Sequence, residues 1–174
     1  MKISLTSFKD LKIFKNKIFF DKRGFFREVM IEDHVSHKFK FNILSFSKKN
    51  VIRGLHLQLK NPQGKYVSVF RGKILDIALD LRKNSKTFGK YFSVILSSKN
   101  CKSIFIPPGF AHGFLAMDNE NLVNYNCTNY RSAETEVGVS WNDPDLNIKW
   151  PVKNPTLSKK DKMNFSMREI MKLI

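Results

Sequence analysis

The chain has only two cysteines, Cys101 and Cys127, far apart in 174 residues, with no Cys-x-x-Cys spacing. That scarcity argues against a disulfide framework and for a reducing, cytoplasmic setting. Long apolar runs are also missing. Stretches such as Ile74 to Leu79 are broken by charge and too short to span a bilayer. The opening Met1-Lys2-Ile3-Ser4-Leu5-Thr6 has no long apolar segment of the kind a signal peptide carries. Acidic residues are few, 15 against 31 Lys and Arg, so the formal net charge is +16. Such a field attracts polyanions or phosphorylated small molecules. The lysines are scattered singly, however, and no zinc-finger or RNA-recognition signature accompanies them, so no nucleic-acid partner is expected. With 42% hydrophobic and 13% aromatic residues the chain is too apolar for disorder. No repeat, low-complexity tract or long linker divides it, and a single domain over 1–174 is expected.

Short alternating runs separated by turn signals fill most of the sequence. Ile18-Phe19-Phe20 leads into Asp21-Lys22-Arg23-Gly24, and Phe25 to Val29 continues beyond. Phe39 to Ser47, Asn50 to Gln58, Tyr91 to Leu96, Ser103 to Ile106, Gly113 to Met117 and Asn121 to Thr128 read as strands. Tyr66 to Phe70 and Lys73 to Leu81 flank Arg71-Gly72, which reads as a tight hairpin turn. Helix is expected near Glu32 to Lys38 and at the C-terminus, from Ser158 or Ser166 onward. The pattern is that of an antiparallel, all-β sandwich or barrel.

Histidine is scarce, which makes the placement of His56 and His112 informative. His56 lies in Arg53-Gly54-Leu55-His56-Leu57-Gln58, and regular alternation places it on one face with Gly54 and Gln58. Lys65 follows in Gln63-Gly64-Lys65. An imidazole can take a proton near neutral pH, and a nearby ammonium can hold the charge that results. The rigid turn Pro107-Pro108-Gly109 delivers His112 to a new strand, and Tyr125 alternates with Val123 and Cys127. Each residue has a plainer reading: a hydrogen-bonded core histidine, a solvent-facing lysine, a packed tyrosine. A metal site needs several converging ligands, and Gln58 is a poor one, so no metal is expected.

Several motifs occur in one order. They are Arg23-Gly24-Phe25-Phe26-Arg27-Glu28, Asn50 to Gln58, Gln63-Gly64-Lys65, Ile106 to Phe114, Tyr125 to Tyr130, Trp141-Asn142-Asp143-Pro144 and Leu157 to Asp161. Together, from about residue 13 to 165, the chain resembles the dTDP-4-dehydrorhamnose 3,5-epimerase family. The resemblance implies a metal-free, cofactor-free jelly-roll (cupin-like) homodimer acting on nucleotide-diphosphate 4-keto sugars. It implies His56 as base, Asp161 as its orienting carboxylate, Tyr125 as acid on the opposite face and Lys65 as the support of the enolate oxygen. It further implies that Arg23, Glu28, Arg53, His112, Glu136 and Lys160 line the substrate and its nucleotide. It implies strand exchange between subunits, and the Ile- and Phe-rich residues ahead of Arg23 read as a strand that one barrel need not use alone.

The chemistry of the residues agrees. A proton beside a ketone is acidic because the charge left behind spreads onto oxygen, so inversion needs a base, an acid on the other face and a cation at the oxygen. The chain departs from the family pattern at Phe41 and Ile43, where a Gln and an Asn are usual. It departs again at Arg131, where a second tyrosine is usual. These leave open a dTDP- or GDP-linked substrate, hexose or heptose. A metal-dependent cupin enzyme, a non-catalytic sugar binder and a basic nucleic-acid-binding domain are the competing readings.

Overall fold

The computed structural model describes residues 1–174. The alternating runs form thirteen strands. The first six are β1 (Lys2–Leu5), β2 (Lys12–Lys15), β3 (Ile18–Asp21), β4 (Gly24–Arg27), β5 (Phe41–Lys48) and β6 (Ile52–Gln58). Then come β7 (Lys65–Arg71), β8 (Lys73–Asp80), β9 (Tyr91–Ser97), β10 (Lys102–Ile106), β11 (Phe110–Ala116), β12 (Glu120–Cys127) and β13 (Glu136–Gly138). One sheet runs β1-β2-β10-β7-β12-β5 and a second runs β13-β6-β11-β8-β9. Their strand pairs are antiparallel, giving the jelly-roll, cupin-like double sheet that the alternation predicts.

The two sheets face each other across a core. Val67, Val69, Ile104, Ile106 and Val123 come from the first sheet, and Ile74, Ala78, Leu96, Phe114 and Ala116 from the second. A second apolar layer lies on the outer face of the five-stranded sheet. There Leu55, Leu57, Ile77 and Leu79 meet Met167 and Ile170 of the C-terminal helix α1 (Met167–Leu173). Ser166 starts that helix with a capping box. Its hydroxyl accepts from the Glu169 N–H at 3.3 Å, and its own N–H donates to the Glu169 carboxylate at 2.7 Å. Truncating the fully buried Ile170 to Ala would cost about 2–5 kcal/mol.

Three expectations are corrected. Arg71-Gly72 is not a hairpin turn, because β7 belongs to the six-stranded sheet and β8 to the five-stranded one. Gly72 is a corner between sheets, with φ 79° and a Cβ position that would collide with the Glu120 carbonyl. A glycine between two apolar runs looks the same in either case. Both runs prove to be interior strands with other partners. Second, the residues ahead of Arg23 are largely used by their own barrel, since β1 and β2 extend the six-stranded sheet beside β10. Only the hairpin β3–β4 pairs with neither sheet, and Phe19, Phe20, Phe25 and Phe26 on it are exposed. Third, the helix expected over 32–38 shrinks to a 3-10 turn, Glu32–His34, which buries no residue. No helix is long and apolar enough to cross a membrane.

Candidate active site

The site is built on an irregularity in β6. On β11, His112 and Phe114 stand two residues apart. Their partners on β6, His56 and Arg53, stand three apart. The extra residue is a β-bulge at Gly54–Leu55. Gly54 has φ 102°, and a Cβ there would meet the His112 carbonyl oxygen at 2.5 Å, so a side chain does not fit. The bulge breaks the expected alternation. Arg53, not Gly54, shares the cavity with His56. Arg53 is anchored to β5, its Nε donating to Ser47 Oγ and its Nη2 to the Phe46 carbonyl, both at 2.9 Å.

His56 meets Asp161, more than a hundred residues later in sequence, with Nε2 2.7 Å from Oδ1. Asp161 opens the 3-10 turn Asp161–Met163 and is buried. Its Oδ2 accepts from Ser158 Oγ at 2.8 Å, and its own N–H donates to the same hydroxyl at 3.0 Å. Burial alone would raise the pKa of this carboxyl. The hydrogen bonds from His56 and Ser158 outweigh burial and hold it below the ordinary value. An ionised carboxylate only accepts, so Nε2 donates to Asp161, and in the neutral form of the ring Nδ1 is the nitrogen with the free lone pair.

Across the cavity, β12 presents Tyr125 from the opposite sheet. Its hydroxyl lies 3.4 Å from Ser45 Oγ, and its ring packs edge-on against His112 with centroids 6.0 Å apart. Burial pushes the phenol far above its ordinary pKa, so it holds its proton at neutral pH. Lys65, at the start of β7, lies beside Cys127 of β12 and lines the same cavity. Burial lowers its ammonium below the ordinary value, against the opposing pull of Glu136 and Asp76 among others. His112 is buried, with Nε2 2.8 Å from Asp76 Oδ2.

At the cavity rim Glu136 Oε1 accepts from both Arg131, at 2.9 Å, and Lys160. Burial would raise the Glu136 pKa, but these two cations hold it at about 2. The cavity is about 360 Å³, and its wall includes Arg53, His56, Lys65, His112, Tyr125, Glu136, Lys160 and Asp161. Eight of the ten sequence-derived site residues therefore converge. Arg23 and Glu28 do not. Arg23 is at the exposed tip of β3–β4, ion-paired to Asp21 at 2.6 Å, and Glu28 is exposed just beyond β4. A larger open concavity, about 670 Å³ between residues 7–10 and 82–87, contains neither histidine nor tyrosine and lies apart from this chemistry.

Sequence reasoning missed Ser45, Ser158 and Asp76. Only Asp76 had a visible signal, an acid in the middle of the apolar run Ile74 to Leu79. The departures from the family pattern are also located. Ile43 lines the cavity, Phe41 stacks on Tyr130 with centroids 5.7 Å apart, and Arg131 is the bidentate partner of Glu136.

A double antiparallel sheet with an oriented imidazole on one inner wall and a proton-bearing phenol on the other defines a cupin-like scaffold equipped for acid–base chemistry. Comparison with known proteins narrows the class. Residues 5–169 match the family model for dTDP-4-dehydrorhamnose 3,5-epimerase, and the chain belongs to that family. The dTDP-4-dehydrorhamnose 3,5-epimerase of Methanothermobacter thermautotrophicus is 42% identical over 172 residues, covering 94% of this chain and 93% of the relative. That of Shigella flexneri is 44% identical over 168 residues, covering 92% and 93%. Among solved structures, the dTDP-6-deoxy-D-glucose-3,5-epimerase of Legionella pneumophila, in complex with dTDP-4-keto-L-rhamnose, superimposes with a TM-score of 0.92 at 39% identity. The match covers 97% of this chain and 94% of that one.

Proposed function

We propose that this chain epimerises a dTDP-linked 4-keto-6-deoxy sugar at C3 and C5. The observation that carries the reading is the pairing of His56 with Asp161 on one wall of the cavity and Tyr125 on the other. His56 Nδ1 takes the proton from a carbon beside the C4 ketone. The electron pair left behind forms a C=C bond, and the ketone oxygen becomes an enolate oxygen, met by the Lys65 ammonium. Tyr125 gives its proton to the same carbon from the opposite face as the ketone re-forms, and the centre is inverted. The imidazolium then loses its proton to water and the tyrosinate regains one, so the cycle is redox-neutral.

Arg53, Lys160 and Glu136 take the rest of the substrate, the cations matching its diphosphate. The Legionella relative was solved with a dTDP-linked keto sugar and the Bacillus anthracis relative with TDP and PPi, which supports a dTDP-linked substrate over a GDP-linked one. The chain acts in the cytoplasm as a homodimer. The exposed phenylalanines of β3–β4 are covered by the second copy, and Arg23 and Glu28 reach its cavity.

Incubation in deuterated water with dTDP- and GDP-linked 4-keto sugars tests this reading. Deuterium should enter C3 and C5 of the dTDP sugar, and His56→Asn should abolish the exchange. Exchange with GDP sugars alone would overturn the nucleotide assignment. Normal exchange in His56→Asn would overturn the acid–base assignment. Sedimentation should give a dimer, and a fully active monomer would contradict the shared site.

A further inference from the structure

Asp161 reaches His56 from a short turn, and that turn is pinned at both ends without help from Ser158. Ahead of it, the Ile52 N–H donates to the Thr156 carbonyl at 3.1 Å and the Thr156 N–H to the Asn50 carbonyl at 2.9 Å. Behind it, Asn164 Nδ2 donates to the Gly54 carbonyl at 3.2 Å, and the Phe165 N–H to the Gly138 carbonyl at 3.0 Å. These bonds fasten the turn to β6, which carries His56, and to β13, which pairs with β6. They fix where the Asp161 backbone stands. They do not fix the rotation of its carboxylate, and that rotation decides how its oxygens meet the imidazole.

Ser158 supplies the missing restraint. The Asp161 N–H donates to Ser158 Oγ at 3.0 Å, and the same hydroxyl stands 2.8 Å from Oδ2. Asp161 is held below the ordinary carboxyl pKa, and an ionised carboxylate only accepts, so the hydroxyl proton lies on the bond to Oδ2. With Oδ2 taken, Oδ1 is left for His56 Nε2 at 2.7 Å. The Asp161 side chain is only 5% exposed, so water has little access to replace the hydroxyl. Ser158 itself is an exposed residue on the wall of the cavity, and no demand of core packing accounts for it. Without its hydroxyl, burial favours the protonated acid. A carboxylic acid can donate to Nε2 and move the imidazole proton to Nδ1.

We propose that Ser158 is a positioning residue for the base: its hydroxyl holds the Asp161 carboxylate in the rotation that takes the Nε2 proton of His56, so that Nδ1 presents its lone pair to the carbon that loses a proton. The inference rests on the epimerase reading above and extends its base from a pair to the chain Ser158–Asp161–His56. No bond is made or broken at Ser158, and its hydroxyl keeps its proton through the cycle.

Ser158→Ala removes the hydroxyl and leaves both anchors of the turn. Its kcat for deuterium exchange should fall about 10- to 100-fold, the worth of one hydrogen bond to a charged group, with KM little changed. Ser158→Thr keeps the hydroxyl and should recover most of that loss. Nitrogen NMR at a pH where the His56 ring is neutral should find the proton on Nε2 in the unaltered protein and in Ser158→Thr. In Ser158→Ala the two tautomers should be mixed. A Ser158 that merely caps the turn would change the melting temperature and leave both the tautomer and kcat in place. The proposal is overturned by a folded Ser158→Ala with undiminished kcat or an unmixed Nε2–H ring, or by a Ser158→Thr as slow as Ser158→Ala. If Ser158→Ala does not fold, the unaltered protein decides, because a ring proton on Nδ1 there would overturn the proposal by itself. Failure of the underlying reading is separate and would appear as normal exchange in His56→Asn.

Discussion

Replacing Asp161 by Asn tests the base without touching it. The carboxylate is buried, bonded to His56 Nε2 at 2.7 Å and to Ser158 Oγ at 2.8 Å. Two effects add. When His56 takes a proton from carbon it becomes a cation, and the Asp161 charge stabilises that cation. Removing one partner of a buried charge pair costs about 3–5 kcal/mol. His56 keeps 25% of its side-chain surface in solvent, so the lower end applies, about 3 kcal/mol or roughly two decades in rate. In addition, an amide can donate to Nε2 and so move the imidazole proton to Nδ1, the atom that must be free to accept.

The expected outcome for Asp161→Asn is a kcat about 100- to 1,000-fold lower, measured as deuterium uptake at C3 and C5 by NMR. KM should hardly move, because Asp161 stands behind His56 rather than against the sugar. A folded variant whose kcat falls less than about fivefold would refute the claim that Asp161 sets the proton position on His56. A rise in KM with kcat intact would make Asp161 a binding residue instead.

Tyr125→Phe keeps the ring that packs on His112 and removes only the proton. His56 should still wash deuterium into the sugar, but net inversion should fall, most visibly at one carbon, as chiral analysis of the products would record; an unchanged product distribution would reduce Tyr125 to packing. Glu136→Gln tests the rim: a carboxyl held at about 2 when folded and about 4.3 when unfolded contributes stability that is complete above the unfolded value and lost as pH falls toward about 2. Allowing for the exposed Arg131 and Lys160, the substitution should cost about 1–2 kcal/mol in urea melts at neutral pH and close to nothing near pH 2; an equal loss at both would show that the ion pairs are not its source.

The strands were legible because their inward residues alternate, as in Val67-Ser68-Val69 and Val123-Asn124-Tyr125. Which sheet a strand enters was not legible. Alternation fixes the two faces of a strand but says nothing of its neighbours, and so Gly72 passed for a hairpin turn. The bulge at Gly54 was hidden for a related reason. Its glycine is visible, but the need for it arises from the His112 backbone, nearly sixty residues away in sequence. His56, His112, Lys65 and Tyr125 could be singled out individually as scarce or well-placed residue types. Pairing His56 with Asp161 rested on the family motifs, because nothing local to Leu157 to Asp161 points to a histidine more than a hundred residues earlier.

The charge of the chain finds only part of its meaning at this site. Among the cavity residues, Arg53, Lys65, Arg131 and Lys160 carry positive charge against Glu136 and Asp161, an excess of two apart from the histidines. That excess suits a diphosphate, which brings about two negative charges, and it falls far short of the +16 of the whole chain. The remaining lysines lie outside the cavity and raise the local concentration of any anion without selecting it. Selection within the cavity comes from fixed geometry. Glu136 binds two of the four cations, Arg131 through both carboxylate oxygens and Lys160 through one, and Ser47 with the Phe46 carbonyl anchors a third. A polyelectrolyte surface would leave such side chains free to follow a backbone. Here three of them are held before any ligand arrives, which favours a small anion of one shape over a long one of any sequence.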